Sequence, residues 1–218
     1  MFYVCMQIST NNSVNFTSTP LHYVNLRKVT NGAEDGFVRA VFTKLNPKDL
    51  EGDCLAVDKI KDTWMGTSLR DNFAGAFKFF KAESNHYNAI ELVGNNNLGD
   101  RIVGLAKSSV ELGRMLKLSL LLIKPEMSRI NYKRSINHIG ELMLGEMFNK
   151  AKQLNVSKLE LESAEDDFYI KVLEKAGIEL TPEKYDSINH KFHIPVEDFD
   201  KYINWCQSEY KTNFSATI

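Results

Sequence analysis

The chain has 218 residues, of which 43% are hydrophobic and 25% are charged, a composition that supports a folded core and excludes extended disorder. Its formal net charge of -1 argues against duplex nucleic acid as a partner, because such binding relies on clustered lysine and arginine. Three widely spaced cysteines indicate no disulfide framework, and no stretch approaches the ~20 apolar residues of a membrane span, so we expect a cytoplasmic protein that does not enter membranes.

The first 45 residues predict strands and loops. Ser9–Thr19 is rich in threonine, asparagine and serine and predicts a loop. Two turn-like pairs, Asn31-Gly32 and Asp35-Gly36, separate the later strand candidates. The candidate strands are Phe2–Ile8, Tyr23–Val29 and Gly36–Leu45.

Two helices are predicted next. Asn46 places a capping side chain ahead of Pro47, a first-turn proline, which is typical of a helix start. The buried side of this helix would consist of Leu50, Leu55, Ala56 and Ile60. Leu69–Lys81 brings apolar residues onto one face, a stripe that burial explains; they are Phe73, Ala76, Phe77 and Phe80.

A hairpin and a long apolar strand follow. Ala89–Val93 and Asp100–Ala106 predict the hairpin, and its turn, Gly94–Asp100, is rich in residues that tolerate positive φ. Met115–Ile123 is an apolar run of a length that suits a strand covered on both faces. Pro125 should end that strand.

The next region predicts helix, strand and helix. Apolar residues recur at spacings of three and four, which indicates an amphipathic helix beginning close to Gly140 and stopping near Asn155. Lys158–Ser163 alternates with period two and predicts a strand. Phe168–Ala176 predicts a helix that Gly177 closes with a left-handed cap. A strand–helix–strand unit of this length needs a right-handed crossover, so the two strands should be parallel neighbours.

The C-terminal part, residues 187–218, predicts one more strand and one more helix. Ser187–Ile194 is the strand candidate. Val196–Tyr210 is the helix candidate, with aromatic residues on its apolar side.

Four segments follow one another between residues 87 and 180: IVGLAKSSV, LSLLLIKPEM, HIGELMLGEMFNKAKQLNVSKLELES and VLEKAGIEL. In this order and spacing they resemble the GNAT superfamily of acyl-CoA-dependent N-acetyltransferases. The resemblance implies a mixed α/β fold, in which helices flank a central mixed sheet, as a single domain over residues 1–218. Residues 87–180 would be the acyl-CoA-binding core, and residues 1–45 and 187–218 would be additions to it.

The resemblance also implies an activity, the direct transfer of acetyl from acetyl-CoA to an amine. The acceptor would be an amine of a protein or of a small molecule, and a homodimer stays open. Pantetheine would lie where the central strand and its parallel neighbour splay apart, against the backbone of Leu122 and Ile123. The amino terminus of the helix near Gly140 offers N–H groups and a dipole that suit a pyrophosphate. The full set implied for the cofactor is Leu122, Ile123, Lys133, Arg134, Ser135, His138, Ile139, Gly140 and Glu141.

The phosphate loop departs from the family pattern R/Q-x-x-G-x-G/A. With Gly140 registered on the last glycine, Ser135 takes the Arg/Gln position and His138 takes the first glycine. Lys133 and Arg134 would supply charge to phosphates in an altered loop, or else form a solvated basic loop.

The catalytic groups depart from the pattern as well. Leu173 aligns with the tyrosine that protonates the departing thiolate in many members, and Tyr169, one helical turn earlier, is the substitute candidate. Lys117 aligns with the glutamate base of the histone-acetylating branch. Glu160 and Glu162 are candidate bases, or else a solvated strand face. The competing hypothesis is a GNAT-derived binding or interaction protein without efficient catalysis.

Overall fold

The computed structural model describes residues 19–46, 85–93, 101–112, 114–125, 136–162 and 166–214, and six positions between 48 and 64. The strands are β1 (Thr19–Thr30), β2 (Ala33–Lys44), β3 (Asn85–Leu92), β4 (Ile102–Glu111), β5 (Met115–Ile123), β6 (Ile136–Asn137), β7 (Lys158–Glu162), β8 (Tyr185–Asp186) and β9 (Lys191–Pro195). The α-helices are α1 (Ile139–Gln153), α2 (Asp166–Lys175) and α3 (Phe199–Tyr210). The predictions for Phe2–Ile8, for Leu69–Lys81 and for the turn Gly94–Asp100 lie outside the described residues, as does the predicted loop Ser9–Thr19 apart from Thr19.

The strands form one mixed sheet in the order β6-β1-β2-β3-β4-β5-β7-β9-β8. β5 and β7 are parallel, and the other neighbouring pairs are antiparallel. The predicted mixed α/β fold with flanking helices is therefore confirmed. Among the described residues, no helix is long and apolar enough to cross a membrane.

The N-terminal hairpin confirms one predicted turn and corrects the other. Asn31-Gly32 joins β1 to β2, and Thr30 pairs with Ala33 directly beside it. The prediction of a second turn at Asp35-Gly36 is wrong, because both residues lie within β2. The register there shifts between Arg27 and Val29, so this pair forms a strand irregularity, which uses the same residue types as a turn.

The region after β2 is described only in part. The Asn46 side chain accepts a hydrogen bond from the Lys48 N–H at 3.0 Å, as expected of a capping residue. Four positions beyond it are helical, and they are Asp53, Val57, Ile60 and Trp64. Ile60 is buried as predicted, and Leu50, Leu55 and Ala56 lie outside the described residues.

The predicted central strand and its crossover are confirmed. β5 spans Met115–Ile123, and α1 carries the chain from the sheet to the parallel strand β7. Gly177 closes α2 with φ 74°, a left-handed conformation that glycine adopts without strain, and its N–H donates to the Glu174 carbonyl at 2.9 Å.

A one-residue irregularity divides β5 between two cores. Ser108 of β4 faces Leu118 while Lys107 faces Leu120, so the register passes over Ser119. Before it, Leu116 and Leu118 point into the main core under α1. After it, Leu120 joins a second core on the opposite face, where Val57 and Ile60 also pack. A β-bulge is the device that turns side chains to the other face in this way.

The C-terminal region corrects one further prediction. The strand begins at Lys191, not at Ser187, because the Asp186 carboxylate accepts hydrogen bonds from the N–H groups of Ile188 and Asn189 and holds a turn there. The predicted helix starts as a 3-10 turn at Val196–Asp198 and continues as α3.

Candidate functional site

The parallel pair β5–β7 opens at its carboxyl end. Among the described residues, which leave out 163–165, pairing runs from Met115–Lys158 to Leu118–Leu161 and goes no further. β7 ends at Glu162, while β5 continues through Ser119 to Ile123 paired with β4 alone among the described strands. On the side of β7, no described strand pairs with the backbone of β5 beyond Leu118, and this unpaired stretch is here called the gap.

Alternation of the backbone decides which residues face this gap. The Lys124 N–H donates to the Val103 carbonyl of β4 at 3.0 Å. Backbone groups of an antiparallel pair point to one side at every second residue, so Leu122, like Lys124, directs its N–H and C=O toward β4. Leu121 and Ile123 direct theirs toward the gap. The structure thus places the backbone of Ile123, but not that of Leu122, on the side expected for the cofactor.

The amino terminus of α1 lies at the mouth of the gap. Its first helical hydrogen bond runs from the Leu142 N–H to the His138 carbonyl at 3.1 Å, so the preceding N–H groups belong to the orphan set of a helix start. A Cβ atom on Gly140 would lie 3.0 Å from Ile123 Cδ1 and 3.0 Å from Phe168 Cζ. The helix therefore approaches the end of β5 as closely as a glycine permits.

His138 precedes the helix with φ 66°, a left-handed conformation, at the position that the alignment assigns to a glycine. Its Nε2 atom lies 2.9 Å from Glu34 Oε1, and its Nδ1 atom lies 3.4 Å from Glu141 Oε1. Its ring packs against Tyr210 with 4.9 Å between centroids. Burial acts to lower the pKa of His138, but the two carboxylates outweigh it and raise the pKa above the usual value.

The helix start is thus flanked by carboxylates as well as by N–H groups. Glu141 is 3% exposed, and Glu34 also binds Arg27 Nη1 at 2.9 Å and Asn137 Nδ2 at 3.2 Å. Burial acts to raise the pKa of Glu34. The hydrogen bonds from His138 and Asn137, with the charges of His138 and Arg27, outweigh burial, so the pKa lies below its usual value. The predicted loop residues Lys133, Arg134 and Ser135 lie outside the described residues.

The two candidate bases lie on the sheet face opposite α1. Glu162 Oε1 accepts from Lys117 Nζ at 2.6 Å and lies 3.7 Å from Lys191 Nζ. Glu160 is 7% exposed, and its oxygens lie 3.8 Å from Lys117 Nζ and 3.4 Å from His193 Nδ1. Because Glu162 is the last residue of β7 and its side chain is 35% exposed, it borders the gap more directly.

Tyr169 lies in the main core. Its side chain is 5% exposed, and its ring contacts Phe168 and Phe192 with centroid distances of 5.2 and 5.5 Å. Leu173, one turn further along α2, is fully buried. The two positions share one helical face, as their spacing predicts.

A buried polar pair under α1 is not among the sequence predictions. His22 Nε2 of β1 lies 3.4 Å from Glu146 Oε2, and both side chains are nearly inaccessible. Burial lowers the pKa of His22 to about 4 and raises that of Glu146 to about 8. The pair is therefore neutral near pH 7. Phe42 and Phe214 pack against the His22 ring and exclude water from it.

Comparison with known proteins gives structural neighbours only. No protein-family model matches the chain. No curated protein matches it either. Similar solved structures include GCN5 from Tetrahymena (TM-score 0.47, 11% identity, 71% of this chain and 95% of that chain) and the ribosomal-protein-S18-alanine N-acetyltransferase from Escherichia coli (0.46, 16%, 72% and 94%). A spermidine N-acetyltransferase chimera from Vibrio cholerae and hSSAT is also similar (0.45, 12%, 73% and 97%).

Proposed function

We propose that this chain is a GNAT-type N-acetyltransferase that transfers acetyl from acetyl-CoA directly to an amine. The observation that carries the proposal is the gap between β5 and β7, which borders the backbone of Leu121 and Ile123 directly below the start of α1. An extended amide-bearing arm fits such a gap, because it can replace the missing strand pairing. A helix start above it suits phosphates.

The residues present fit acetyl-CoA, although carboxylates as well as cationic side chains lie where its phosphates would bind. Leu121 and Ile123 would bind the pantetheine arm through their backbone groups, and Gly140 and Ile139 would offer N–H groups to the pyrophosphate. The carboxylates of Glu34 and Glu141 oppose an anion there, while His138 and Arg27 offset them. From the sequence resemblance alone, Lys133, Arg134 and Ser135, which lie outside the described residues, are proposed to contact the phosphates as well. Acetyl-CoA supplies the thioester, an activated acyl group.

The acceptor nitrogen attacks the thioester carbonyl carbon, so an N–C bond forms, the C–S bond breaks and the ammonium proton must leave. Glu162 is the proposed base, directly or through water, because it ends β7 at the point where the gap begins. Glu160, two residues earlier on the same face of β7 and more buried, is the alternative base. A backbone N–H on the gap side of β5 would stabilise negative charge on the carbonyl oxygen.

A covalent enzyme intermediate is not needed. Cys206, the cysteine within the described residues, is fully buried, and burial raises the pKa of its thiol well above the usual value. Tyr169 is the proposed acid only if its buried hydroxyl reaches the departing thiolate. We favour solvent as the proton source, because a thiol of pKa ~8.5 leaves as thiolate near neutral pH without a strong acid.

Two measurements on the same sample test the proposal. Millimolar CoA and acetyl-CoA should raise the melting temperature, since a ligand that binds the native state stabilises it. With acetyl-CoA bound, a panel of amines and peptides should release free thiol in proportion to acetylated product. A cofactor shift without any acetylation would favour the binding-protein alternative, and no shift would contradict the proposal.

A further inference from the structure

The end of the N-terminal hairpin β1–β2 lies against the start of α1. β6, the two residues ahead of His138, pairs with Arg27 and Lys28 of β1. Glu34 lies on β2, the facing strand of the same hairpin. Direct strand pairing therefore joins this hairpin to the first turn of α1, where Gly140 approaches the end of β5.

One anion already lies beside the helix start, and it is the carboxylate of Glu34. Its Oε1 atom lies 2.9 Å from His138 Nε2 and accepts from Asn137 Nδ2 at 3.2 Å. Its Oε2 atom accepts from Arg27 Nη1 at 2.9 Å. The pKa of Glu34 lies below its usual value, so the group is ionised near pH 7. Arg27, Asn137 and His138 are here called the anion seat.

Contacts with α3 hold two members of the anion seat independently of Glu34. Arg27 Nη2 donates to the Glu209 carbonyl at 3.1 Å. The His138 ring packs on Tyr210 with 4.9 Å between centroids. The donors would therefore stay in place if Glu34 moved away, and a preformed seat binds a replacement anion at a low cost in ordering.

The two carboxylates at the helix start differ in how easily they can leave it. The Glu34 side chain is 37% exposed and can turn into water, whereas that of Glu141 is buried within the first turn of α1. Exposed ion pairs contribute little to stability, so breaking those of Glu34 costs little. A phosphate at the helix start would come within reach of His138 and would be repelled by the carboxylate that His138 holds.

Resting on the proposed function, we propose that Glu34 is a latch on the cofactor site: its carboxylate occupies the anion seat in the free protein, and a phosphate of CoA displaces it. Both anions use the same donors, so closing of the latch and binding of the phosphate exclude each other. The apparent affinity for CoA is then the intrinsic affinity multiplied by the fraction of molecules in which the latch is open.

Glu34→Gln tests the latch, because it removes the charge and keeps the size of the side chain. We expect the Kd for CoA, measured by isothermal titration calorimetry, to fall about tenfold, as for a latch that is closed in about nine molecules of ten. A role in stability alone would leave this Kd unchanged or raise it. An unchanged or raised Kd would therefore overturn the inference.

Asp35→Asn is the matched control. It removes one negative charge from the same hairpin at the exposed neighbouring position, which is not part of the anion seat. Its Kd for CoA should stay within about twofold of wild type, since solvent and salt screen an exposed charge. A gain equal to that of Glu34→Gln would reduce the effect to net charge and overturn the latch.

A second variant tests whether the cofactor takes the released donors. Arg27→Gln, made in the Glu34→Gln background, should raise the Kd for CoA about tenfold, because the guanidinium then binds phosphate instead of carboxylate. An unchanged Kd would mean that the cofactor does not use the anion seat, which would contradict the proposed exchange.

Dephospho-CoA, which lacks the 3′-phosphate, shows which phosphate displaces Glu34. An equal gain for CoA and dephospho-CoA in Glu34→Gln assigns the pyrophosphate, and a gain for CoA alone assigns the 3′-phosphate. Binding of CoA to Glu34→Gln but not to wild type would be the extreme form of the expected result. Absence of CoA binding in both proteins would overturn the proposed function and the latch with it, whereas equal binding overturns the latch alone.

Discussion

Gly140 and Ile123 lie so close that a Cβ atom on the glycine would be 3.0 Å from Ile123 Cδ1. This contact joins the first turn of α1 to the end of β5, the two elements that border the gap. We predict that Gly140→Ala raises the Kd for CoA by about tenfold, because Ile123 must move and the gap-facing edge moves with it. Isothermal titration calorimetry on the folded variant measures the effect.

Gly145→Ala is the control for that substitution. It also adds a methyl group to α1, but this one would meet Phe214 and Cys206 at 2.6 and 2.8 Å, away from the gap. It should lower the melting temperature and leave the Kd for CoA unchanged. Equal CoA affinity in wild type and Gly140→Ala would show that the cofactor does not use this end of α1.

Glu162→Gln should lower kcat about 10²-fold with little change in CoA affinity, because the amide cannot accept the ammonium proton. Glu160→Gln is the comparison variant, because Glu160 lies two residues before Glu162 on β7 and is buried. Rates are measured by thiol release with the best amine of the panel. A larger loss in Glu160→Gln would move the base to Glu160, and near-wild-type rates in both would remove the two glutamates from the mechanism.

Tyr169→Phe should change kcat by less than about threefold if solvent protonates the thiolate. It should cost about 1 kcal/mol of unfolding free energy, the usual scale for a lost hydroxyl contact in a core. The measurement is kcat against pH, with urea unfolding for stability. A loss of about 10²-fold together with the alkaline limb would instead assign Tyr169 as the acid.

The ion pairs of His138 should make stability depend on pH. Because its folded-state pKa is raised, His138 contributes stability that is fully present below its unfolded pKa of ~6.5 and is lost as pH rises through the folded value. We expect wild type to melt above His138→Asn in acid, with the difference shrinking as pH rises through the raised folded-state pKa of His138. Asparagine is the suitable replacement, since it tolerates the left-handed backbone. A difference that is constant with pH would mean that His138 acts only by packing.

Glu146 should produce a second pH effect. Its pKa is raised from 4.5 to about 8 by burial, so the folded state binds this proton more tightly. Stability from this group is fully present below the unfolded pKa and falls as pH rises toward about 8. Glu146→Gln should therefore melt increasingly above wild type as pH rises, by differential scanning calorimetry. Parallel curves for the two proteins would contradict the buried neutral carboxyl.

The sequence predicts those elements whose signal is local. Met115–Ile123 and the helix near Gly140 follow from apolar spacing alone, and the structure confirms both. Asp35-Gly36 shows the limit, because a bulge and a turn use the same residues and only the partner strand distinguishes them. Ser187 to His190 shows it again, since a capping aspartate interrupts an apparent strand.

Which residues line the candidate site depends on strand pairing, whereas most elements of the fold are predicted by local patterns. Whether Leu121 or Leu122 faces the gap is decided by the register with β4, which no local pattern reveals. Lys191 and His193 could not be chosen from sequence, because their position beside Glu160 and Glu162 requires knowing that β9 pairs with β7. His138, which the alignment registers on a glycine position, has a left-handed backbone in the structure, a feature that the sequence analysis did not predict.

The late segment made of α3 and the residues just after it contributes Tyr202, Cys206, Tyr210 and Phe214 to the main core. During synthesis these residues leave the ribosome after every described strand of the sheet, because they come after Pro195 in the sequence. Chains begin to fold from the N-terminal end as they emerge. Until then, α1 keeps an apolar side without its cover, and Gly145 has no Phe214 against it. The nascent chain therefore exposes the apolar side of α1 until α3 has emerged, and ribosome pausing before Phe199 would lengthen that exposure.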